Sequence, residues 1–213
     1  MKRIVLLALL ALTASGAFAQ GLPFGMGGGV LLDDSFSSGF KSDSADFKIN
    51  KFSYGGFIFF DASYVEADIY VTSGAVNNHS INYYGGSEEH LYFSSTDIQL
   101  GFSLLGKYPI DLGSIIIFPL LGVSYNVVLS HKNEFGEKLE KPSEWSQFGL
   151  SGGIGFDFYQ TNSLYFRIEA LFQILFPSKV TRDQIDSIKS GGENAKAALG
   201  FGPVIKMGVG YRF

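Results

Sequence analysis

The sequence predicts an all-β fold, an eight-stranded antiparallel up-and-down barrel with transmembrane strands, and three observations predict it. Apolar and polar residues alternate with a period of two through about eight segments of roughly 10–16 residues, longer than the strands of ordinary soluble sheets. Long polar connections and short ones alternate strictly between those segments. The apolar face of the segments carries no charge, although 17% of the chain is Asp, Glu, Lys or Arg.

Ahead of the first strand stands MKRIVLLALLALTASGAFAQ, with Lys2 and Arg3, an apolar run from Ile4, and small residues at Ala17 and Ala19. That three-part layout predicts a signal peptide over 1–19, cleaved after Ala19, and a barrel domain over 20–213. The run is too short to cross a ~30 Å hydrocarbon core as a helix. No later apolar stretch approaches the length of a membrane helix. The absence of cysteine excludes a disulfide framework and a lipid-modified N-terminal cysteine. Net charge is −4 with the basic residues scattered, so no nucleic-acid partner is expected. With 27 Gly, 21 Phe and 11 Tyr but one Trp, the composition favours strands punctuated by glycine over helices.

The first strand is expected near 22–33 (LPFGMGGGVLLD), with Gly25, Gly27 and Gly29 on one face. GMGGG and the later SGGIG do not lie between a strand and a helix at GxGxxG spacing, so neither is read as a phosphate loop. The next strands fall near 50–61, 64–75, 95–108, 114–129 and 145–159. The seventh, near 163–176, is the clearest. In LYFRIEALFQILF, Leu164, Phe166, Ile168, Ala170, Phe172, Ile174 and Phe176 share a face, and Tyr165, Arg167, Glu169 and Gln173 take the other. Helical spacing would mix the two sets. The eighth, near 198–213, ends in KMGVGYRF.

Short turns are expected at Ala62–Ser63, Pro109–Gly113 and Gln160–Asn162, and long polar loops at 34–49, 76–94, 130–144 and 177–197. The last loop has room for a short amphipathic helix at Asp183–Ile188. Long outer loops at one end and short periplasmic turns at the other suit a barrel set in a membrane.

A charge facing lipid costs ~2–4 kcal/mol for Lys or Arg near the midplane, so the charged face must look into the lumen. That face holds Glu66, Asp68, Asp97, Gln99, Lys107, Asp157, Arg167, Glu169, Lys206 and Arg212. Phe57, Phe59, Phe118 and Leu120 fall inward on the same alternation. A secreted lipocalin-type barrel would invert the pattern, with charges outside. Phe24, Phe60, Tyr108, Phe158 and Phe213 near the turns, and Phe52 and Phe176 near the loops, suit interfacial girdles.

KMGVGYRF is similar to the C-terminal assembly signal of outer-membrane β-barrels, through Lys206, Gly208, Tyr211 and Phe213. The mature chain resembles the small bacterial outer-membrane barrels of OmpW, OmpX and OmpA-barrel type, and GYRF resembles OmpW-like proteins most. GLPFGMGGGV departs from the N-terminal strand motif of that subfamily. The resemblance implies outer-membrane lipid and the barrel assembly machinery as partners. The function expected from it is a narrow channel for small or hydrophobic solutes, as in an OmpW-like protein, with a lipid A-modifying barrel enzyme as a remote alternative. An OmpX-like one would have a filled lumen and bind host or surface ligands through its outer loops, where INYYGG (81–86) lies.

No enzymatic activity and no cofactor or metal is expected. His79, His90 and His131 all fall in outer loops, and neither the adjacent Ser80 nor Glu88 and Glu89 complete a recognisable triad. His79, His90 and Glu89 match no strong zinc-ligand spacing.

Overall fold

The computed structural model describes residues 24–84, 87–138 and 140–213. The expected signal peptide lies outside the described residues. The strands in chain order are β1 (Phe24–Ser42), β2 (Ala45–Ala62), β3 (Val65–Tyr84), β4 (Ser87–Lys107), the short β5 (Ile110–Asp111), β6 (Ile115–Asn133), β7 (Gln147–Tyr159), β8 (Leu164–Leu175), the short β9 (Ala195–Ala197) and β10 (Gly200–Arg212). One helix, α1 (Lys179–Ser190), and a 3-10 turn at Pro142–Trp145 lie in the last two outer connections.

The eight long strands pair antiparallel in the ring order β10-β8-β7-β6-β4-β3-β2-β1. The ring closes where β10 meets β1, from Gly25↔Arg212 through Leu31↔Lys206 to Phe36↔Phe201. Closure leaves the ring without an open edge within lipid, where water cannot satisfy unpaired backbone groups. The periplasmic turns are tight. Ser63 takes a left-handed conformation (φ 59°) between β2 and β3, and Gly113 (φ 92°) turns the chain from β5 into β6.

Burial alternates strictly where the wall is thinnest. Along β8, Tyr165, Arg167, Glu169, Leu171, Gln173 and Leu175 are buried, while Leu164, Phe166, Ala170, Phe172 and Ile174 are exposed. Exposed residues elsewhere include Val30, Ile58, Ile69, Phe102, Leu121, Leu150, Ile205 and Val209. This is the reverse of a lipocalin-type barrel, and only an apolar solvent tolerates such an exterior. Tyr108 and Phe213 are exposed at one end, Phe52 and Phe176 at the other, as amphipathic rings at a membrane boundary would be.

Two of the expected long loops are not loops. Residues 34–49 and 76–94 continue the sheet almost to the chain reversals, so that β1 to β4 reach 18–21 residues while β7, β8 and β10 have 12 or 13. The pairing runs on through polar residues, with Asn77 opposite Ser94 and His79 opposite Tyr92. Beyond the membrane no face needs to be apolar, so the period-two signal fades while the backbone ladder persists. The 130–144 connection is also shortened, because β6 continues to Asn133.

In the last connection α1 is longer than Asp183–Ile188. Ser178 caps it by accepting the Thr181 amide at 3.2 Å. Thr181 and Ile185 are its buried residues, and Thr181 lines the cavity beneath it. Two ion-pairing residues link this roof to the 3-10 turn: Lys179 Nζ donates to Glu144 Oε1 at 3.0 Å.

Candidate functional site: the filled lumen and the outer hairpin

The strand alternation delivers both charged and aromatic side chains to one interior, and they interlock. Arg167 is wholly buried at its centre. Its Nε donates to Asp157 Oδ1 at 2.6 Å, its Nη2 to Asp61 and Asp157 at 2.7 Å each, and its Nη1 to Glu66. The guanidinium carbon lies 4.4 Å from the Phe59 ring centre and 5.0 Å from that of Phe118, so its faces are stacked as well as its edge paired. Lys107 donates to Asp61 and sits 4.6 Å from the Phe118 ring centre. Lys206 donates to Asp68 and lies 3.1 Å from Glu169.

Glu66, Asp68 and Glu169 each offer an oxygen within 4.8 Å of the others, the geometry of a cation site. The Lys206 ammonium already pairs with two of the three, so the chain supplies its own cation there.

Glycine makes this packing possible. A Cβ at Gly101 would fall 1.9 Å from the Tyr70 ring, and one at Gly155 would fall 2.1 Å from that of Phe118. In each case the glycine lies directly opposite the aromatic residue on the neighbouring strand. These two glycines therefore hold rings rather than open space, as Gly27 does for Phe59. Phe57, Phe59, Tyr70, Leu105, Phe118, Leu120, Tyr165, Leu171 and Val204 close into one buried cluster.

Among the described residues, more space remains towards the two ends than at mid-lumen, where a gap of about 10 Å³ lies between Tyr70, Leu171 and Lys206. A vestibule of about 210 Å³ at the periplasmic end is lined by Asp61, Lys107, Asp157, Tyr159, Tyr165 and Arg212. A cavity of about 50 Å³ under α1 is lined by Lys51, Asp97, Gln99, His131, Trp145 and Thr181. Lys51 donates to Gln99 at 2.5 Å, and His131 pairs with Asp97 while its ring stacks parallel on Trp145 at 5.6 Å. Above the roof, Lys179 holds the exposed Glu144 carboxyl below its ordinary value through their hydrogen bond, and the same bond raises Lys179.

Glu66, Asp68, Asp97, Lys107, Asp157, Arg167, Glu169 and Lys206 are buried, and Arg212 is half-buried in the periplasmic vestibule. Of the residues in the C-terminal motif, Lys206 points inward, Tyr211 and Phe213 are exposed, and Gly208 faces Gly29 across the closing seam. Sequence reasoning left out Asp61, which joins Lys107 to Arg167, and also Asp33 and Lys51, which face each other at 3.8 Å. Asp61 shares the parity of Phe57 and Phe59, a signal available in the sequence but obscured by its place beside the turn.

Outside the barrel, β3 and β4 run on as a hairpin. β6 begins to pair with β4 only at Ser95↔Asn133. Among the described residues, 87–94 are paired with β3 alone and form an open sheet edge. At ~3.4 Å per residue this edge is about 25 Å long. Tyr92 and Phe93 are exposed on its two faces.

Closed ring, apolar exterior and ion-paired interior together define a small membrane-spanning β-barrel of the outer-membrane type. No protein-family model and no curated protein matches the chain. Among solved structures it is similar to Ail, the attachment invasion locus protein of Yersinia pestis, at 14% identity over 90% of this chain and 99% of that one, with a TM-score of 0.40. It is also similar to Neisserial surface protein A (12% identity, 89% and 97% covered, TM-score 0.46). A third is the outer membrane protease OmpT of Escherichia coli (8% identity, 90% and 96% covered, TM-score 0.44).

Proposed function

We propose that this protein is a non-conducting outer-membrane barrel that binds an external partner through its projecting β3–β4 hairpin. The observation that carries the reading is the packed layer of Arg167, Glu66, Phe59 and Phe118 across the lumen, none of them exposed. An OmpW-like channel would need Phe57, Phe59, Phe118 and Leu120 to line open space, and they pack against one another and against cations instead. Eight strands enclose an interior that side chains can fill, which supports the same reading. The open edge at 87–94 offers unpaired backbone groups to an extended segment of a host or surface protein, with Tyr92 and Phe93 as flanking anchors. In this reading the protein is not an enzyme. The last strand, β10, is the part presented to the barrel assembly machinery.

Planar-bilayer recording on the refolded protein tests the first half: no conductance steps are expected, and a reproducible unitary current in the wild-type barrel overturns it. Proline at Tyr92 and at Phe93 tests the second. Along an edge strand successive amides point alternately to the partner strand and outward, so one of the two variants blocks the open edge with the hairpin intact. Undiminished binding of cells displaying both variants to host cells or matrix defeats docking by strand addition.

A further inference from the structure

The outer hairpin brings together two histidines that are eleven residues apart in sequence. His79 lies opposite Tyr92 on the β3–β4 ladder, and His90 lies opposite Ile81, so the two histidines occupy diagonal positions on one face. His79 Nε2 and His90 Nδ1 approach to 3.0 Å. Both residues are open to solvent, His79 half-buried and His90 exposed.

From this geometry we propose that His79 and His90 bind a divalent transition-metal ion, of the zinc, copper or nickel class, on the outward face of the hairpin. Three observations carry the site. The first is the span between the nitrogens. With metal–nitrogen bonds of ~2.0–2.1 Å, a tetrahedral ion sets two ligand nitrogens about 3.4 Å apart and a square-planar one about 2.9 Å. The observed 3.0 Å falls between them, and turning both rings by about 35–45°, so that the facing nitrogens point to a common ion, keeps that span.

The second is the carboxylate behind His90. Glu88 Oε2 lies 3.6 Å from His90 Nε2, the ring nitrogen turned away from His79. At that distance, beyond a hydrogen bond, the carboxylate acts through its charge, which favours the proton on Nε2 and leaves the Nδ1 lone pair free. Glu88 belongs to the same strand face as His90, whereas Glu89 points to the other.

The third is the rigidity of the His79 ring. It lies parallel to the Tyr92 ring at 4.4 Å between centres, and its edge faces that of His90, with 5.3 Å between those centres. Both rings are thus already ordered by the hairpin. One nitrogen of the close pair donates to the other in the metal-free protein. Moving the His79 proton to its Nδ1 frees both lone pairs without net loss of a proton. Imidazole nitrogen selects this class of ion over calcium or magnesium, which prefer oxygen. Two protein ligands leave coordination positions for water or for a donor on a docked partner. His131, paired with Asp97 and stacked beneath the roof on Trp145, is not part of the site.

The test is titration of tag-free, detergent-refolded barrel with zinc and copper chlorides by calorimetry, with calcium and magnesium as controls. One equivalent of zinc or copper is expected, with affinity at least about tenfold weaker in Glu88→Gln and weaker still in His79→Ala and His90→Ala. His131→Gln should bind as wild type, and the heat-dependent gel shift of each variant reports that the barrel is folded. Copper-bound protein should show two nitrogen donors by electron paramagnetic resonance, and one after loss of either histidine. No binding to the wild-type barrel, wild-type affinity in both alanine variants, or half an equivalent bridging two barrels would overturn the proposal.

Discussion

Arg167 on β8 and Glu66 on β3 meet as a hydrogen-bonded ion pair although their strands stand four apart in either direction around the eight-stranded ring. The pair spans a diameter of the barrel, and Arg167 continues to Asp61 on β2 and to Asp157 on the adjoining β7. A ring held only by neighbouring ladders is free to flatten, whereas a diametric staple fixes its cross-section. Removing one partner of a buried pair leaves the other charges uncompensated. Arg167→Ala should therefore destabilise the folded barrel by about 3–5 kcal/mol, read from the urea midpoint of the gel-mobility shift. Phe118→Ala, which removes one wall of the guanidinium stack, should cost a similar ~3–5 kcal/mol by leaving a cavity. An Arg167→Ala midpoint within error of wild type would show that the staple is dispensable.

The glycine–aromatic pairs give a second prediction. Gly101→Ala drives a methyl into the ring of Tyr70, whose hydroxyl is tied to Asn126 at 2.7 Å and cannot swing away freely. Overpacking of this kind costs about 1–3 kcal/mol. Combining Gly101→Ala with Tyr70→Ala should give less than the sum of the two single effects, because the second change removes what the first collides with. Strict additivity in urea titrations would argue against the pairing.

The roof over the outer cavity should respond to pH through Glu144 and Lys179. The Glu144 carboxyl is held below its ordinary value of 4.5, so its contribution is complete above that value and is lost as pH falls through the lowered one. Lys179 is raised above 10.5, so its contribution is complete below that value and is lost only in stronger alkali. Docking of α1 should thus be constant across neutral pH and loosen at the acid end. Amide exchange in α1 reads this directly. Glu144→Gln should remove the acid limb, and high salt should shrink it because both groups are exposed.

The barrel itself was legible because lipid enforces it: every membrane-facing position had to be apolar, and β8 spells that rule without exception. The projecting hairpins were not, since polar residues such as Asn77, Asn78 and Ser94 pair through backbone alone and leave no periodicity to read. Charge inside the lumen could be assigned by parity, but not the partners. Glu66 and Arg167 are 101 residues apart, and nothing local links them. The histidine pair was hidden in the same way, because the ladder that joins His79 to His90 runs through residues expected to be loop. The inward glycines were visible, yet whether they opened a channel or seated rings depended on the residue opposite each one, which only the register supplies.

The final prediction separates folding from delivery at the closing seam. The Phe213 amide donates to the Phe24 carbonyl at 2.8 Å, and its ring lies 6.0 Å from that of Phe24 and 5.2 Å from that of Tyr211. Phe213→Asp gives up ring contacts worth about 0.5–1.5 kcal/mol. It adds a charge at the membrane boundary, where the penalty is only ~0–1 kcal/mol. Refolding into detergent should therefore be weakened modestly. If β10 is read through this aromatic during assembly, the amount of Phe213→Asp barrel reaching the outer membrane in cells should fall far more than its stability in vitro. Phe213→Tyr, which keeps ring and amide, should behave as wild type in both. A Phe213→Asp protein that refolds slightly less well yet accumulates normally in the outer membrane would mean that Phe213 contributes only to the girdle.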